Sequence, residues 1–409
     1  MQFNRFLNSN IEKLFKSSKS ILLLGPRQTG KSTLIEEYLK GSKKNVLSYK
    51  LQDLRTYEEL IRSPEKIMNI TEEKLEAGQL ILYIDEVQKI PQLLDGCQYL
   101  IDKYKNKLCV ILSGSSARKL RARGVNLLPG RIIVEHLHSL TIPEIKNTET
   151  QRIISLKIKE KNKVNFKITL DELLIYGTMP GILSEKEFKK NLLDSYVSTY
   201  LQEEIRAEAL TRNLGAFSKF LELSALESGG SPNLSNLSQQ TGIPINTVKN
   251  YFQLLEDTLI TFSIPAFNKI KTRKQVLNTP KYLFFDLGVR NSAAKLNLNS
   301  QILKTELGGK LFEQFICLEL IKRIQYAHPT WKYYYWRTKN GLEVDFIIQT
   351  DDEIIPIEIK YTSNIQKKHI RHLQTFMNEY KAKRGFIVGI FSQAQKIEGN
   401  IYAIPWDEI

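Results

Sequence analysis

The sequence predicts an α/β protein of several domains: a parallel sheet with covering helices first, a helical middle, and a second α/β unit at the carboxyl end. Three observations predict this order. Short apolar runs alternate with helical stretches up to about residue 140, apolar residues then recur at helical spacing, and a new alternation of strands and helices follows Pro280. A chain of 409 residues is too long for one compact core and has room for about two to four domains.

Composition and charge limit the class of protein. With 42% hydrophobic and 25% charged residues and no low-complexity tract, the chain has the composition of an ordered globular protein. Its 59 Lys and Arg exceed its 44 Asp and Glu, which gives a net charge of +15. This charge favours a polyanionic partner such as nucleic acid or an acidic membrane surface, and a charge that serves only solubility is the alternative.

The sequence carries no signal for export or membrane insertion. No apolar run reaches the roughly 20 residues that span a bilayer, and the amino terminus lacks the apolar core of a signal peptide. Cys97, Cys109 and Cys317 lie in apolar stretches without the spacing of metal ligands, which indicates buried thiols in a reducing compartment. We therefore expect a cytoplasmic protein without a membrane partner.

Five short apolar runs predict a parallel sheet in residues 1–150. Because helical stretches separate the runs, we expect the strands to be parallel and covered by helices on both faces. The runs are ILLLG at 21, NVLSYKLQD at 45, LILYIDE at 80, CVILSGS at 109 and RIIVEHL at 131. The charged stretch KIKEKNKVNFK, between about residues 145 and 170, then indicates an exposed hairpin or a domain boundary.

The segment GPRQTGKST, from Gly25 to Thr33, matches the phosphate-binding loop G-x-x-x-x-G-K-[ST] between a strand and a helix. Its glycines let backbone N–H groups face the phosphates, and the helix N-terminus adds partial positive charge. Lys31 is expected to reach the β- and γ-phosphates, and the Ser32 hydroxyl to ligate Mg²⁺. The candidate nucleotide-binding residues here are Gly25, Gln28, Thr29, Gly30, Lys31, Ser32 and Thr33.

The run LILYIDE supplies the acidic pair that a P-loop site needs. Asp85 is expected to hold Mg²⁺ through water, and Glu86 to polarise the water that attacks the γ-phosphate. An acidic pair at a strand end is common by itself, so its weight comes from following the P-loop. Since the sequence lacks the N/T-K-x-D motif of guanine-specific proteins, ATP is the expected nucleotide.

Residues after the CVIL run are further candidates at the nucleotide. Ser113, in the sequence Ser-Gly-Ser-Ser, stands where a polar side chain senses the γ-phosphate, and a plain turn is the alternative. Arg131, in LPGR, is a candidate arginine finger, although an arginine in a basic loop is more often only solvated. The arginines that compete with it are Arg118, Arg121 and Arg123.

The middle of the chain predicts helices and a helix-turn-helix. From about Asp171 to Glu227, apolar residues recur at helical spacing. The stretch LSNLSQQTGIPINTVKNYFQLLEDTLI then predicts a helix, a turn at Gly242, an N-cap at Asn246 and a second helix. The strand-like LITFSIPAF that follows is a candidate for the start of a wing.

Charged residues near the carboxyl end form the second candidate site. Glu343 and Asp345 share one face of a predicted strand, and Glu358 and Lys360 share one face of the next. Glu313, on the helix before them, completes the cluster. Such a cluster suits phosphodiester hydrolysis, with Asp345 and Glu358 on Mg²⁺ and Lys360 neutralising charge in the transition state. Alternating charge on a solvated strand face is the alternative.

These features together resemble the bacterial and archaeal AAA-type P-loop ATPases that carry a C-terminal domain of unknown function related to PD-(D/E)XK nucleases. The resemblance covers nearly the whole chain. Its motifs are GPRQTGKST, LYIDEVQKIP, LSGSSARKL with the later GR, YGTMPGI, the helix-turn-helix, PKYLFFDLG, GGKLFEQFICLEL, YYYWRTKNGLEVDF and IPIEIKY. It implies nucleotide binding by Gly30, Lys31, Ser32 and Asp85, and nuclease-like positions at Glu313, Asp345, Glu358 and Lys360.

The resemblance and the patterns give four expected domains. They are a parallel-sheet P-loop ATPase domain at 1–150, a helical linker at 151–230, a winged-helix-like domain at 231–278, and an α/β restriction-endonuclease-like domain at 279–409. The leading hypothesis is an ATPase that binds DNA and couples nucleotide state to a metal-dependent nuclease. A switch or signalling ATPase with a non-catalytic nuclease-like scaffold is the alternative. A small-molecule kinase is disfavoured because nothing resembling a lid follows the P-loop.

The helix-turn-helix and the segment after it supply the candidate DNA contacts. The start of the second helix would face the groove, and a basic stretch would meet phosphates. The alternative is a helix-turn-helix that only packs on the ATPase. A homo-oligomer is also open, since an arginine finger acting in trans requires a neighbour. The groove candidates are Pro244, Asn246, Thr247, Lys249 and Asn250, and the phosphate candidates are Lys269, Lys271, Arg273 and Lys274.

Overall fold

The structure, a computed structural model, describes residues 3–115, 130–148, 168–201, 214–268 and 279–409. They divide into two compact units. The amino-terminal unit holds Gln2–Ser139 and Asp257–Ile260, and the carboxyl-terminal unit holds Leu140–Glu256 and Thr261–Ile409. The division into four domains stays a prediction. The charged stretch at 157–167 lies outside the described residues.

The amino-terminal unit contains the predicted parallel sheet. All five predicted strands are present, in the spatial order β2-β3-β4-β1-β5, with every neighbouring pair parallel. The central β1, β3 and β4 are buried throughout, as continuous apolar runs predict. The strands are β1 (Ser20–Leu24), β2 (Asn45–Lys50), β3 (Leu80–Asp85), β4 (Leu108–Gly114) and β5 (Ile132–His136).

Five α-helices of this unit lie in the described residues. Each turns an apolar face to the core, as in the first helix, where Leu7, Ile11 and Phe15 recur every fourth residue and are buried. The helices are α1 (Leu7–Lys16), α2 (Lys31–Lys40), α3 (Leu54–Arg62), α4 (Lys66–Glu76) and α5 (Leu93–Tyr104). Cys97 and Cys109 are buried in this unit, as predicted.

The carboxyl-terminal unit begins with short helices. Residues 171–227 are largely helical where described, which agrees with the apolar spacing. The helices are α6 (Ile142–Lys146), α7 (Leu170–Tyr176), α8 (Pro180–Ser184), α9 (Lys189–Ser195), α10 (Leu214–Leu226), α11 (Leu234–Thr241), α12 (Ile245–Asp257) and α13 (Leu287–Ala293).

The helix pair α11 and α12 lies where the helix-turn-helix pattern predicts it. Gly242 ends α11 in the left-handed region, at φ +70°. The predicted N-cap at Asn246 is wrong, because α12 already begins at Ile245 and the Pro244 carbonyl accepts the first hydrogen bonds, from the N–H groups of Thr247 and Val248. Asn246 therefore lies within the first turn.

Two short strands follow this pair. β6 (Thr261–Ile264) lies in the predicted run LITFSIPAF, and β7 (Lys281–Phe284) begins one residue before the run YLFFD and overlaps it. We expected YLFFD to open the last α/β unit, but β7 pairs antiparallel with β6 in a sheet of two strands. The sequence gives strand positions but does not give the partner of so short a strand.

A six-stranded mixed sheet lies at the carboxyl end. Its order is β12-β13-β11-β10-β9-β8, and two helices belong to it, α14 (Glu306–Ala327) and α15 (Lys367–Tyr380). The strands are β8 (Lys332–Arg337), β9 (Glu343–Gln349), β10 (Ile354–Ile359), β11 (Gly385–Gly389), β12 (Gln395–Glu398) and β13 (Ile401–Pro405). β12 and β13 were not predicted. β12 is largely exposed and carries a polar sequence, so it lacks the apolar pattern of a strand.

Candidate nucleotide site and carboxylate cluster

The loop between β1 and α2 is built around two glycines. A side chain at Gly25 would place its Cβ 2.2 Å from the Leu137 carbonyl oxygen, so only glycine fits there. Gly30 has φ +95°, a conformation that other residues rarely adopt, and it stands directly before α2. These two constraints fix the curled loop that the P-loop motif predicts.

Lys31, Ser32 and Asp85 come together at this loop. The Lys31 ammonium donates to the carbonyl oxygens of Gly25 and Pro26, at 2.8 and 2.9 Å. The Ser32 hydroxyl donates to Asp85 Oδ2 at 3.0 Å, which joins the P-loop to the end of β3. The structure therefore brings the predicted phosphate-binding lysine and the two predicted Mg²⁺ ligands into one site.

Glu86 lies beside them in an unusual backbone conformation, at φ +58°. Its carboxylate accepts hydrogen bonds from the Gln88 amide and, at 3.3 Å, from the Ser115 hydroxyl. Gln88 also donates to Ser115 at 2.9 Å. Glu86 is only 3% exposed. These two polar side chains therefore hold its carboxylate in place. Gln88 lies in the motif LYIDEVQKIP but was not predicted as a site residue.

Ser113 is the predicted γ-phosphate sensor at the end of β4. Its hydroxyl donates to Asp85 Oδ1 and lies 3.4 Å from the Tyr83 hydroxyl. Burial, and next the charge of Asp85, raise the pKa of Tyr83, which keeps this phenol protonated. Ser113 thus belongs to the same group as Ser32 and Asp85, and its sensing role stays a prediction.

Arg5 is a second residue beside the P-loop that the sequence patterns do not predict. Its guanidinium donates to the Thr29 carbonyl at 2.7 Å and to the His138 carbonyl at 2.6 Å. The side chain is nearly buried, so a fixed cation supports the back of the P-loop. No pattern near the amino terminus marks Arg5, whose partners lie far along the chain.

The remaining nucleotide candidates fall into two groups. Thr29 is buried and its hydroxyl donates to the Pro26 carbonyl, whereas Gln28 and Thr33 are exposed on the loop and the first turn of α2. Arg131 is placed elsewhere. It precedes β5, whose first residue pairs with the first residue of β1, so it lies at the opposite edge of the sheet from the P-loop.

Arg131 also has a local partner. Its Nε donates to Asp102 Oδ1 at 2.6 Å, and this hydrogen bond raises the arginine pKa. The structure thus does not bring Arg131 to the P-loop of its own chain, and the arginine-finger role survives only as an action in trans. The competing Arg118, Arg121 and Arg123 lie outside the described residues.

In the carboxyl-terminal unit, Lys360 joins the two carboxylates predicted to meet it. Its ammonium lies 3.0 Å from Asp345 Oδ2 and 2.9 Å from Glu358 Oε1. The backbone N–H of Ile359 also donates to Asp345 Oδ2, at 2.7 Å. Glu358 Oε2 is buried without a hydrogen-bond partner. Burial, and next the charge of Asp345, raise the pKa of Glu358 well above its ordinary value.

Glu313 and Glu343 share a different ammonium group. Lys281, on β7, lies 3.0 Å from Glu313 Oε1 and 2.7 Å from Glu343 Oε1. Burial raises the pKa of Glu313, and Lys281 opposes that shift. Burial disfavours charge on Lys281, but its carboxylate neighbours outweigh this effect and raise its pKa. Lys281 was not predicted as part of the cluster.

The cluster has donors suited to a hard cation, but each of the predicted carboxylates already contacts an ammonium group. Asp345 and Glu358 both contact Lys360, and Glu313 contacts Lys281. Within the part of the chain that the structure describes, no three Asp, Glu, His or Cys side chains are grouped so as to hold a metal ion. The residues therefore do not fit a bound metal in this arrangement, and the predicted Mg²⁺ ligation by Asp345 and Glu358 stays a prediction.

Most candidate DNA contacts on α12 are accessible. Pro244, Asn246, Lys249 and Asn250 are exposed, and Thr247 is partly buried. The candidate phosphate contacts, Lys269, Lys271, Arg273 and Lys274, lie outside the described residues.

Across the described ranges, no helix is both long and apolar enough to cross a membrane.

Comparison with known families agrees with the site at the amino-terminal end. Residues 17–146 match a family described as AAA domain. Over these residues the chain is similar to AAA-type P-loop domains. Two further families match other segments, and both are described as domains of unknown function: DUF8612 over residues 167–301 and DUF4143 over residues 308–409. The nuclease likeness therefore rests on the sequence resemblance alone.

Similar proteins extend over most of the chain, the AAA-type domain included. An uncharacterized protein of Mycobacterium tuberculosis (strain ATCC 25618 / H37Rv) is 21% identical over 394 residues, which cover 95% of this chain and 80% of the relative. An uncharacterized protein of Mycobacterium bovis (strain ATCC BAA-935 / AF2122/97) matches to the same extent.

Two solved structures show a distant likeness. A Walker-type ATPase of Pyrococcus abyssi has a TM-score of 0.47 at 16% identity, over 71% of this chain and 96% of its own. The Aeropyrum pernix ORC1 protein, solved in complex with DNA, has a TM-score of 0.32 at 12% identity, over 72% of this chain and 93% of its own. Scores this low do not establish a shared fold for the whole chain.

Proposed function

We propose that this protein binds ATP together with Mg²⁺ and hydrolyses it in the AAA-type domain. The hydrogen bond from the Ser32 hydroxyl to Asp85 carries the proposal, because it places a P-loop hydroxyl and a strand-end carboxylate at one point. Mg²⁺ is usually held by one or two such groups together with the phosphates of the nucleotide. When bound, it would neutralise the charge that develops on the transferred phosphoryl group.

The side chains of the site have separate roles in this proposal. Lys31 moves its ammonium from the loop carbonyls to the β- and γ-phosphates, while the loop N–H groups bind the remaining phosphate oxygens. Glu86 orients the attacking water and accepts its proton at a carboxylate oxygen. Gln88 and Ser115 hold that carboxylate in position. Arg5 fixes the loop backbone through the Thr29 carbonyl.

Replacing Lys31 by Ala is expected to lower Mg²⁺-dependent ATP hydrolysis by on the order of 100-fold or more, because the phosphates lose their main cationic partner. Phosphate release from purified protein is the measurement. Lys40→Ala is the matched control, since Lys40 is exposed at the far end of the same helix. Equal hydrolysis by wild type and Lys31→Ala would remove the proposal.

Phosphodiester hydrolysis of DNA is the second candidate function. The meeting of Asp345, Glu358 and Lys360, with one buried Glu358 oxygen unpartnered, favours it. The exposed start of α12 and the net charge of +15 favour DNA as the polyanion. A switch ATPase with a non-catalytic scaffold is the rival, and the engaged carboxylates favour that rival.

Cleavage of labelled linear and supercoiled DNA decides between these two. If the cluster is catalytic, cutting in Mg²⁺ or Mn²⁺ is lost in Lys360→Ala, and a dependence on Lys31 shows control by ATP. Lys367→Ala is the matched control, because Lys367 begins α15 and is exposed. The rival predicts no cutting by wild type under any combination of metal, nucleotide and DNA, while ATP is still hydrolysed.

A further inference from the structure

A lysine from outside the predicted cluster contacts two of its carboxylates. Lys281 belongs to β7, which pairs with β6, whereas Glu313 lies on α14 and Glu343 on β9. The Lys281 side chain is only 8% exposed, and its ammonium also stands 5.2 Å from the centre of the Tyr335 ring. A cation is therefore held between carboxylates of two different elements, with an aromatic face beside it.

The cluster is acidic beyond what this lysine neutralises. Four carboxylates contact two ammonium groups. Glu313 and Glu343 contact Lys281, and Asp345 and Glu358 contact Lys360. Arg337 lies 3.6 Å from Glu343 at the exposed side. Glu358 is 2% exposed, and its Oε2 atom has no partner although the same carboxylate contacts Lys360. Acceptor capacity for one more cation thus remains inside the cluster.

We propose that the Lys281 ammonium is a built-in cation that fills this carboxylate cluster, so that a divalent metal ion binds only when Lys281 leaves it. The ammonium occupies the space between Glu313 and Glu343 that a metal would need. Its positive charge also opposes a divalent ion a few ångströms away. The inference holds whether or not the AAA-type domain hydrolyses ATP.

The arrangement explains why the sequence pattern and the geometry disagree. Glu313, Asp345 and Glu358 are the residue types of a metal site, yet the described residues contain no group of three placed to hold a metal. Lys281 supplies the positive charge instead and keeps Glu313 turned to itself. Displacement of β7 would free two carboxylates at once, because one ammonium contacts both.

Binding of Mn²⁺ to full-length, nucleotide-free protein tests the proposal. Free Mn²⁺ is followed by electron paramagnetic resonance for wild type, Lys281→Gln and Lys281→Arg. Lys281→Gln is expected to gain one Mn²⁺ per chain, bound at least about tenfold more tightly than by wild type, since the opposing charge is gone while the amide still donates hydrogen bonds. Lys281→Arg keeps the charge and is expected to match wild type.

A second substitution locates the gained site. Adding Glu358→Gln to Lys281→Gln is expected to abolish the gain, because an amide group then replaces the carboxylate whose Oε2 atom has no partner. Wild type that binds Mn²⁺ as tightly as Lys281→Gln, with both dependent on Glu358, would overturn the proposal. If Lys281→Gln is unstable, Mn²⁺ must raise its melting temperature and leave that of wild type unchanged, and no rise counts against the proposal.

Discussion

A Glu86→Gln variant is expected to bind ATP as wild type does and to hydrolyse it at least about 100-fold more slowly. Glutamine keeps the size and one acceptor oxygen of the side chain but cannot take the proton of the attacking water. Binding is preserved because Lys31, Ser32 and Asp85 are unchanged. The measurement is a pair of values: the dissociation constant of a fluorescent ATP analogue and the steady-state rate of phosphate release.

The surroundings of Glu86 make this substitution informative. Its carboxylate accepts from Gln88 and Ser115, so glutamine at this position still accepts on one oxygen and keeps the side chain in place. Both Glu86 and Gln88 are buried, so solvent does not substitute for the lost base. A loss of rate with normal binding would then report on proton transfer and not on a collapsed site.

Two comparisons sharpen the result. Glu76→Gln, at the exposed end of α4, is expected to behave as wild type in both measurements. Gln88→Ala is expected to lower the rate less than Glu86→Gln does, because it frees the base without removing it. If Glu86→Gln hydrolyses ATP at the wild-type rate, another group activates the water and the role proposed for Glu86 is wrong.

The local part of this site could be predicted because its information lies in adjacent residues. The P-loop and the Asp85-Glu86 pair each follow a buried apolar strand, and parallel strands bring their carboxyl ends to one edge. Arg5 could not be found in this way. Arg5 reaches Thr29 and His138, which are 24 and 133 residues away, and such partners are set by the folded chain and not by spacing.

The carboxylate cluster shows the same limit. Alternation along β9 and β10 predicts which residues share a face of each strand, and the antiparallel pairing of Phe346 with Ile357 then sets Asp345 and Glu358 side by side. Alternation does not predict that Lys281 contacts this cluster. The four residues of β7 do not indicate which strand β7 pairs with. The ammonium groups of Lys281 and Lys360 contact Glu313 and Asp345, two of the carboxylates in the predicted cluster.

Two motifs that carried only a resemblance prove to contact each other. Asp286, in PKYLFFDLG, accepts from the backbone N–H of Thr178, in YGTMPGI, at 2.7 Å. It also caps α13 by accepting from Gly288 and Val289, at 2.9 and 3.3 Å. Gly177 has φ +73°, and a Cβ there would lie 2.0 Å from Asp286 Oδ1. Any larger residue at position 177 would therefore clash with the Asp286 carboxylate.

Asp286→Ala is expected to destabilise the carboxyl-terminal unit by about 2–4 kcal/mol, through a lost helix cap and a buried N–H without its acceptor. Asp286 is 1% exposed, so water does not replace the carboxylate. The melting temperature should fall by on the order of 10 °C. Differential scanning calorimetry of the full chain measures it, with ATP hydrolysis as a readout of the amino-terminal unit.

Asp286→Asn and Asp352→Ala complete this experiment. Asparagine keeps the shape and one of the two acceptor oxygens, so it can accept from the backbone N–H groups on one side only. A smaller loss than for alanine is therefore expected. Asp352, exposed in the turn between β9 and β10, is the matched control and should change stability by less than about 0.5 kcal/mol. If the melting temperature of Asp286→Ala equals that of Asp352→Ala, the fold does not depend on this contact between the two motifs, and their pairing has no structural role.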